Sequence, residues 1–237
     1  MNYRLKLNHK EEIAQDTFAF YFDKTGTGFS YTAGQFVTVT IPDLNAADGK
    51  GNERHYSIAN TPAENNLVEI IIRKSVSDFS KCILSLPIGT ELLFDTPRGE
   101  ITSDKISESP FTPVFIAGGT GITPVRSILK DFDIKGTQKE IVLFYANRSV
   151  ESAVFFEELK ELANKKKNFK FIPIFEKETE MKNSEKGYFS DVVLKKNIKD
   201  FSNHIFYITG PPMMLSETIK VLVSSGVPED KIFIENI

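Results

Sequence analysis

The pattern of apolar residues changes near the middle of the chain, and this change constrains the fold more than any other feature. From residue 113 onward, apolar strands alternate with amphipathic helices, beginning with PVFIA and PVRSILKDF and ending with KIFIENI. The strands are nearly continuous apolar runs, which is typical of strands covered by helices on both faces. The alternation predicts a doubly wound α/β domain with a parallel sheet and right-handed crossovers.

The residues before this point follow a different pattern. Short stretches rich in β-branched and aromatic residues, such as TFAFYFD and LVEIIIRK, are separated by loops rich in Gly, Pro, Asn and Asp. Closely spaced short strands predict an antiparallel barrel or sandwich. One segment, SDFSKCILSLP, has the apolar spacing and the Ser or Asp N-cap of a helix. We therefore expect an all-β domain over residues 1–106 and an α/β domain over residues 107–237, joined by a polar, proline-bearing segment around 103–112.

Composition and charge exclude several classes of protein. The 237 residues are 41% hydrophobic and 26% charged with a net charge of −3, which is ordinary for a globular protein and unlike a basic nucleic-acid binder. No apolar run is long enough to span a membrane, and the first residues lack a signal-peptide core. One cysteine and three histidines exclude an internal disulfide and a cysteine-ligated iron–sulfur cluster, and make a metal site unexpected. We expect a cytoplasmic monomer, although the sequence does not fix the oligomeric state.

Two glycine-bearing turns each follow an apolar strand in the second half. The first, FIAGGTGITPVRSIL, carries Gly119, Gly121 and Pro124, and the second, YITGPPMM, carries Gly210 and Pro211. The carboxyl edge of a doubly wound sheet is where dinucleotide pyrophosphates bind, on the free N–H groups of a helix N-terminus. Two such turns on one edge predict a crevice. The spacing is not G-x-G-x-x-G, and each turn taken alone is also compatible with an ordinary strand exit.

The stretch RHYSIAN, residues 54–60, has an unusual composition for a strand. Arg54 offers a forked cation for a phosphate, Tyr56 an aromatic face for a flat ring, and Ser57 a hydroxyl donor. These groups suit a flavin. Strand alternation places Arg54 and Tyr56 on one face and Ser57 on the other unless the strand bends. Taken alone, a half-buried strand with Tyr and Arg at its rim is the alternative interpretation.

In their order and spacing, RHYSIAN, AGGTGITP, YITGPPMM and FIENI resemble the ferredoxin–NADP reductase superfamily over nearly the whole chain. The resemblance implies a flavin-binding Greek-key barrel followed by a nucleotide-binding α/β domain. It implies FAD as cofactor, with FMN possible, and NADH or NADPH as co-substrate. It also implies hydride transfer from the nicotinamide to flavin N5, and onward electron transfer to a separate acceptor. That acceptor would be a ferredoxin- or flavodoxin-like protein, a quinone-like small molecule, free flavin or oxygen.

The resemblance also assigns site residues. Ser57 would hydrogen-bond near flavin N5, Glu235 would tune charge and protonation there, and Thr209 would lie beside the nicotinamide. These three form the expected catalytic set. The expected cofactor-binding residues are Arg54, His55, Tyr56, Ser57, Ile71, Ile72, Arg73, Phe79, Ser80, Lys81, Gly119, Thr120, Gly121, Pro124, Arg148, Glu176, Gly210, Pro211 and Met213.

Two departures from the family pattern affect the flavin. Ser77 stands where the family has a glycine before its phosphate-binding helix, yet we expect the amides of Phe79, Ser80 and Lys81 still to bind phosphate. The chain closes on Glu-Asn-Ile at 235–237 rather than on an aromatic residue, so we expect a less covered flavin face.

Two further departures affect the nucleotide. Thr209 replaces a cysteine that members of the family often carry, so we expect altered hydride-transfer efficiency. Glu176 stands where NADPH-selective members bind the 2′-phosphate, which favours NADH, although Lys177 or Arg148 could offset its charge.

Three alternatives stay open at this point. The chain could be a flavin-binding electron-transfer subunit without its own NAD(P)H turnover. It could be a nucleotide sensor on the same fold. It could also be a reductase that uses free flavin as a substrate, and such a protein would purify colourless.

Overall fold

The strands divide in sequence order between two six-stranded sheets in the computed structural model, which describes residues 2–49, 51–177 and 184–235. The first sheet is antiparallel, with the order β4-β3-β6-β1-β2-β5. Its strands are β1 (Tyr3–Ala14), β2 (Thr17–Asp23), β3 (Phe36–Thr40), β4 (Glu53–Ser57), β5 (Leu67–Arg73) and β6 (Glu91–Phe94).

The two ends of this sheet meet and close a barrel. Just beyond β4, Ile58 forms a bridge with Ile70 of β5, and the Ala59 amide donates to the Glu69 carbonyl at 2.7 Å. Alternate strand residues fill the interior with one apolar cluster. Helix α1 (Asp78–Ser85) adds Phe79 to this cluster and so covers part of the barrel.

The second sheet is parallel, with the order β10-β9-β8-β7-β11-β12. The chain builds outward from β7 through β8 to β9 and then returns to the other side of β7 with β11. A ligand crevice is expected at such a reversal point. The strands are β7 (Thr112–Gly118), β8 (Ile141–Asn147), β9 (Phe169–Phe175), β10 (Glu185–Lys186), β11 (His204–Thr209) and β12 (Ile232–Glu235).

Helices cover both faces of the parallel sheet, as the continuous apolar strands predict. One face packs against α3 (Ile122–Ile134) and α4 (Phe156–Lys165), and the other against α5 (Asp191–Asn197) and α6 (Pro212–Ser224). The first of these clusters also contains Ala19, Ala59 and Ile71 of the barrel. The barrel and the α/β part therefore share apolar packing, and the predicted fold class is confirmed.

The segment expected to join the two halves is not an extended linker. It contains helix α2 (Ser103–Glu108), which is capped by the Thr102 hydroxyl and buries Ile106 in the same cluster as α3. Six residues are too few for a helical period to show in the sequence. The expected boundary at residue 106 lies inside this helix, and the division into 1–106 and 107–237 stays a prediction.

Two smaller features of the second half also differ from expectation. The sequence motif suggests that Pro124 opens a helix, but helix α3 begins at Ile122, so Pro124 lies in its first turn, where the missing N–H still costs nothing. Strand β10 has two residues and was not predicted. In the part of the chain that the structure describes, no helix combines the length and the apolar character needed to cross a membrane.

Candidate active site

A cleft of about 310 Å³ opens where the barrel meets the carboxyl edge of the parallel sheet. One wall comes from the barrel and the other from the turns after β7 and β11, so residues far apart in the sequence face each other. The walls contain His55, Tyr56, Ser57, Ile71, Arg73, Thr120, Gly121, Thr123, Pro124, Thr209, Gly210, Pro211, Pro212 and Glu235.

The barrel wall carries the predicted aromatic and hydroxyl groups. Burial raises the pKa of the Tyr56 phenol, which therefore stays neutral, and the Tyr56 ring lies 6.2 Å from that of Phe79. Strict alternation would turn Ser57 away from Tyr56, yet both contribute to the same wall. Strand β4 ends at Ser57, where the chain turns to close the barrel on β5.

A second cavity, of about 190 Å³, continues from the cleft along the barrel. The guanidinium carbon of Arg54 lies 5.1 Å from the ring centroid of Phe79, so the cation rests on an aromatic face. Arg54 lines this cavity, so its guanidinium group has a position that suits a phosphate. The cavity is lined by Arg54, His55, Tyr56, Ile72, Arg73, Ser75, Ser77, Phe79 and Ser80.

Two of the three amides expected to bind that phosphate already have partners. The Ser80 amide donates to the Ser77 hydroxyl at 3.2 Å, and the Lys81 amide donates to the Ser77 carbonyl at 3.1 Å. Ser77, which replaces the family's glycine, thus caps the helix that it precedes. Lys81 is not among the described residues that line either barrel cavity, and its ammonium lies 3.6 Å from Asp78 Oδ1.

An acidic residue that the sequence analysis missed lies at the same place. Oδ2 of Asp48 lies 4.0 Å from Nη2 of Arg54 and accepts a hydrogen bond from the Asp78 amide at 3.1 Å. A carboxylate therefore contacts both groups that the resemblance assigns to a phosphate, the arginine and the helix N-terminus. In the sequence, Asp48 belongs to a stretch that reads only as a polar loop, PDLNAADGKGN.

The two glycine turns touch each other backbone to backbone. A Cβ on Gly121 would lie 2.7 Å from both the Cα and the N of Gly210, so no side chain fits at this position. The Thr209 hydroxyl donates to the Gly121 carbonyl at 2.5 Å. The side chain predicted to face the nicotinamide thus connects the turns after β7 and β11.

Glu235 closes the cleft from the end of β12, beside Thr209 of β11. Its carboxyl group is buried, and Oε2 has no hydrogen-bond partner among the described residues. Burial raises the pKa of Glu235 to about 8. The carboxyl group can therefore hold a proton at neutral pH. Residues 236 and 237 lie outside the described part of the chain, so the expected exposure of the flavin face stays a prediction.

A third cavity, of about 630 Å³, extends over the carboxyl ends of β7, β8 and β9. Four of the residues expected to bind a cofactor line it: Gly119, Arg148, Glu176 and Met213, whose side chain is largely exposed. Lys177 is not among the described residues that line it; the Lys177 amide donates to the Arg148 carbonyl at 3.1 Å.

Asn147 is a wall residue of this cavity that the sequence analysis did not single out. It is 7% exposed, and its Oδ1 has no hydrogen-bond partner among the described residues, whereas its amide interacts with the Tyr145 phenol and opposes the rise that burial causes in the pKa of that phenol. Buried amides are normally paired, so this group suits a polar ligand. A single polar residue at the end of the apolar strand EIVLFYAN was the available signal.

The three cavities together fit an extended pair of ligands. The first offers an aromatic wall and a buried carboxyl oxygen that has no partner among the described residues, the second offers an arginine, and the third offers a buried amide oxygen that likewise has none. Arg73 contributes to the walls of all three. Of the expected site residues, the structure brings all but Lys81 into these walls.

Two family models match the two halves of the chain. Residues 4–102 match the oxidoreductase FAD-binding domain, and residues 115–220 match the oxidoreductase NAD-binding domain.

Curated relatives are similar over most of the chain. It is 30% identical over 207 residues to a "Probable flavin reductase" from Aliivibrio fischeri, covering 85% of this chain and 83% of that one. It is 26% identical over 216 residues to the propane 2-monooxygenase reductase component of Mycolicibacterium goodii, covering 88% of this chain. The chain spans only 59% of the length of that reductase component.

Among solved structures, a ferredoxin NADP+ reductase from Neisseria gonorrhoeae with bound FAD and NADP superposes with a TM-score of 0.83 at 20% identity. The superposition covers 99% of this chain and 98% of that chain. The cytochrome b5 reductase domain of Ulva prolifera nitrate reductase gives the same TM-score at 19% identity, covering 99% and 97%. These two similarities support the two-part fold.

Proposed function

This chain belongs to the ferredoxin–NADP reductase superfamily, and from that premise we propose that it transfers a hydride from a nicotinamide dinucleotide to a flavin. The observation that carries the proposal is the 310 Å³ cleft, in which Tyr56 and Ser57 of the barrel face Gly121 and Gly210 of the α/β part. A cleft with one flavin wall and one nucleotide wall is what direct transfer between two bound ligands requires.

Several side chains have positions suited to holding the flavin, which is FAD in the first instance. Tyr56 and Ile71 offer apolar contact to a flat ring, Ser57 offers a hydroxyl donor, and Arg54 offers a cation for a phosphate. When bound, a flavin supplies the chemistry of accepting a hydride and releasing electrons one or two at a time.

The chain's own contribution is orientation, exclusion of water and storage of a proton. Ile71, Pro124 and Pro211 give the cleft apolar walls that exclude water. Thr209 holds the two glycine turns at a fixed separation through its bond to the Gly121 carbonyl. The buried carboxyl group of Glu235 keeps a proton at neutral pH and can donate it within the cleft.

The nucleotide is expected to be NADH rather than NADPH. Glu176 lies in the wall of the 630 Å³ cavity, where its carboxylate would repel a 2′-phosphate and accept a hydrogen bond from a ribose hydroxyl. Arg148 shares that wall and opposes the repulsion in part.

An anaerobic visible spectrum of the purified protein, reconstituted with FAD and titrated with NADH and with NADPH, tests the proposal. Bleaching of the flavin band by NADH at lower concentration than by NADPH is the expected result. Bleaching by NADPH at the lower concentration would contradict the role of Glu176 but would still support the reductase function. A bound flavin that neither nucleotide bleaches would overturn hydride transfer and leave an electron-transfer subunit or a nucleotide sensor.

A second candidate is a reductase that takes flavin as a diffusing substrate. The observation that favours it concerns the residues expected to bind the flavin phosphate. Ser77 caps α1, and Asp48 contacts Arg54. Fewer free donors there imply weaker retention of a phosphorylated flavin. A protein that purifies colourless yet oxidises NADH on addition of riboflavin or FMN would support this candidate, and flavin retained through gel filtration would contradict it.

The electron acceptor is proposed to be a separate redox protein or a small molecule. Residues 1–237 contain one cysteine, which cannot ligate a ferredoxin-like cluster. Support comes from the M. goodii relative, which is named as the reductase component of a monooxygenase. Reduction of added acceptors by NADH, compared with and without flavin, would rank the alternatives.

A further inference from the structure

Arg126 is a buried cation between the barrel and the α/β part. It lies on α3 just beyond the glycine turn, and its side chain is 9% exposed. It lies outside the motifs RHYSIAN and AGGTGITP, it is not among the expected site residues, and it is not among the described residues that line the three cavities. A buried arginine away from the ligands requires another explanation.

The guanidinium group binds both halves of the protein at once. On the barrel side, Nη1 donates to the Ala59 carbonyl at 3.0 Å and to Glu69 Oε2 at 2.8 Å. On the α/β side, Nε and Nη2 donate to the two carboxylate oxygens of Glu158 on α4, at 3.0 and 3.1 Å. The second contact is the forked arginine–carboxylate pairing, which fixes orientation as well as distance.

The surroundings of Arg126 restrain it further. The guanidinium carbon lies 4.6 Å from the ring centroid of Phe155. Phe155 has a φ of 58°, a left-handed conformation that non-glycine residues adopt only when their surroundings impose it. This conformation precedes α4 and places the ring against the cation.

Arg126 lies in a network of charged groups in which the carboxylates outnumber the cations. Glu64 Oε2 lies 3.8 Å from Nη1 of Arg126, and the Lys130 ammonium lies 3.5 Å from Glu158 and 4.0 Å from Glu64. Two cations thus face three carboxylates, Glu64, Glu69 and Glu158, and the Tyr21 hydroxyl donates to Glu69 at 3.2 Å. Buried ion pairs contribute little net stability compared with apolar packing, but their directional bonds fix a geometry.

The partners of Arg126 are adjacent in sequence to the cleft walls. Ala59 lies two residues beyond Ser57, and Glu69 lies two residues before Ile71. Helix α3 itself begins directly after Gly121. One guanidinium group therefore connects both flavin strands to the helix that carries the nucleotide turn.

We propose that Arg126 is a positioning residue that fixes the separation of the two cleft walls and thereby the rate of hydride transfer. The inference about the rate rests on the proposed function. The structural half of the proposal, that Arg126 holds the barrel and the α/β part in one arrangement, does not rest on the proposed function.

The test replaces Arg126 with lysine, which keeps the charge and removes the fork. Lys130→Gln is the matched control, because Lys130 lies one turn along the same helix and makes only the longer contacts. The first readout is the distance distribution between spin labels on Lys6→Cys and Asn164→Cys, both exposed, in a Cys82→Ser background. The second is the single-turnover rate of flavin reduction by NADH, with its deuterium isotope effect.

Arg126→Lys is expected to broaden the distance distribution and slow flavin reduction at least tenfold, with flavin affinity within threefold of wild type. Lys130→Gln is expected to behave as wild type in both readouts. An unchanged distribution, or an unchanged rate, in folded Arg126→Lys would overturn the proposal. If that variant does not fold, Glu158→Gln, which keeps the barrel contacts, replaces it with the same expectations. If NADH does not reduce the wild-type flavin, the proposed function fails, and the distance distribution still decides the structural half.

Discussion

Burial makes a carboxyl group keep its proton to unusually high pH, and Glu235 is buried, with an Oε2 that has no hydrogen-bond partner among the described residues. We expect flavin-dependent NADH oxidation to fall as pH rises through about 8, the pKa of Glu235, because the cleft then loses its stored proton. Glu235→Gln should lower the activity at pH 7 and abolish this pH step. Glu229→Gln, at an exposed position of the same C-terminal region, should leave the step in place.

The raised pKa of Glu235 also makes the free energy of unfolding depend on pH. The native protein binds this proton between the ordinary pKa of 4.5 and about 8, whereas the unfolded chain has already released it. The free energy of unfolding contributed at this site should therefore decrease as pH rises through that window. Urea denaturation at pH 6 and pH 9 checks the sign: Glu235→Gln should show a smaller loss between the two than wild type.

Asp48 is expected to weaken the binding of phosphorylated flavins. Its carboxylate competes with a flavin phosphate for Arg54 and the α1 N-terminus. We expect Asp48→Asn to raise the affinity for FMN and FAD about fivefold, from a Coulomb repulsion of about 1 kcal/mol at this range, and to leave riboflavin affinity unchanged. Fluorescence titration with the three flavins measures this. Asp43→Asn removes the same charge from the same loop and serves as control; an equal gain there would point to net charge alone.

Glu176 is expected to set the preference for NADH over NADPH. Glu176→Gln should lower the KM for NADPH at least severalfold and change the KM for NADH much less, because only NADPH carries the 2′-phosphate. Steady-state kinetics with both nucleotides measures the ratio. Glu217→Gln is a matched control: Glu217 also lines the 630 Å³ cavity but is paired with Lys220 at 2.7 Å. A similar shift in both variants would contradict a specific role for Glu176.

At the scale of elements, the contact between the two glycine turns should be sensitive to a single methyl group. Gly121→Ala would place its Cβ 2.7 Å from the backbone of Gly210, so the turns after β7 and β11 must separate. We expect loss of NADH binding, measured by calorimetry, together with a lower melting temperature.

Gly136→Ala separates the two effects of that substitution. Gly136 has a φ of 67° and open space around it, so alanine there costs about 1 kcal/mol of backbone strain without a steric contact. Its melting temperature should fall while NADH binding is kept. Loss of binding in both variants would show that reduced stability, rather than the turn contact, is responsible.

Elements with a long or regular apolar pattern were predictable from the sequence, and short ones were not. Strands β1, β2 and β5 and helices α1 and α6 follow their patterns closely. Helix α2 and strand β10 have too few residues for a period to appear, and tertiary contacts determine them.

At the scale of the whole molecule, the sequence predicted two halves, their order and the motifs that meet between them. It did not predict that a carboxylate would contact Arg54 and the N-terminus of α1, because that depends on the position of a loop thirty residues away. Arg126, Asn147 and Asp48 escaped notice for a related reason. Each lies in an unremarkable local pattern, and its role depends on partners or cavities supplied by distant parts of the chain.

The position of Arg73 has a thermodynamic consequence. Arg73 lines the 310 Å³ cleft, the 190 Å³ cavity and the 630 Å³ cavity, so a change in its side-chain conformation alters the walls of all three. Any ligand that selects one conformation of this arginine changes the free energy of binding of the others, and by linkage the effect is equal in both directions. Flavin and nucleotide affinities in this protein are then coupled equilibria, and neither dissociation constant is a property of its own site alone.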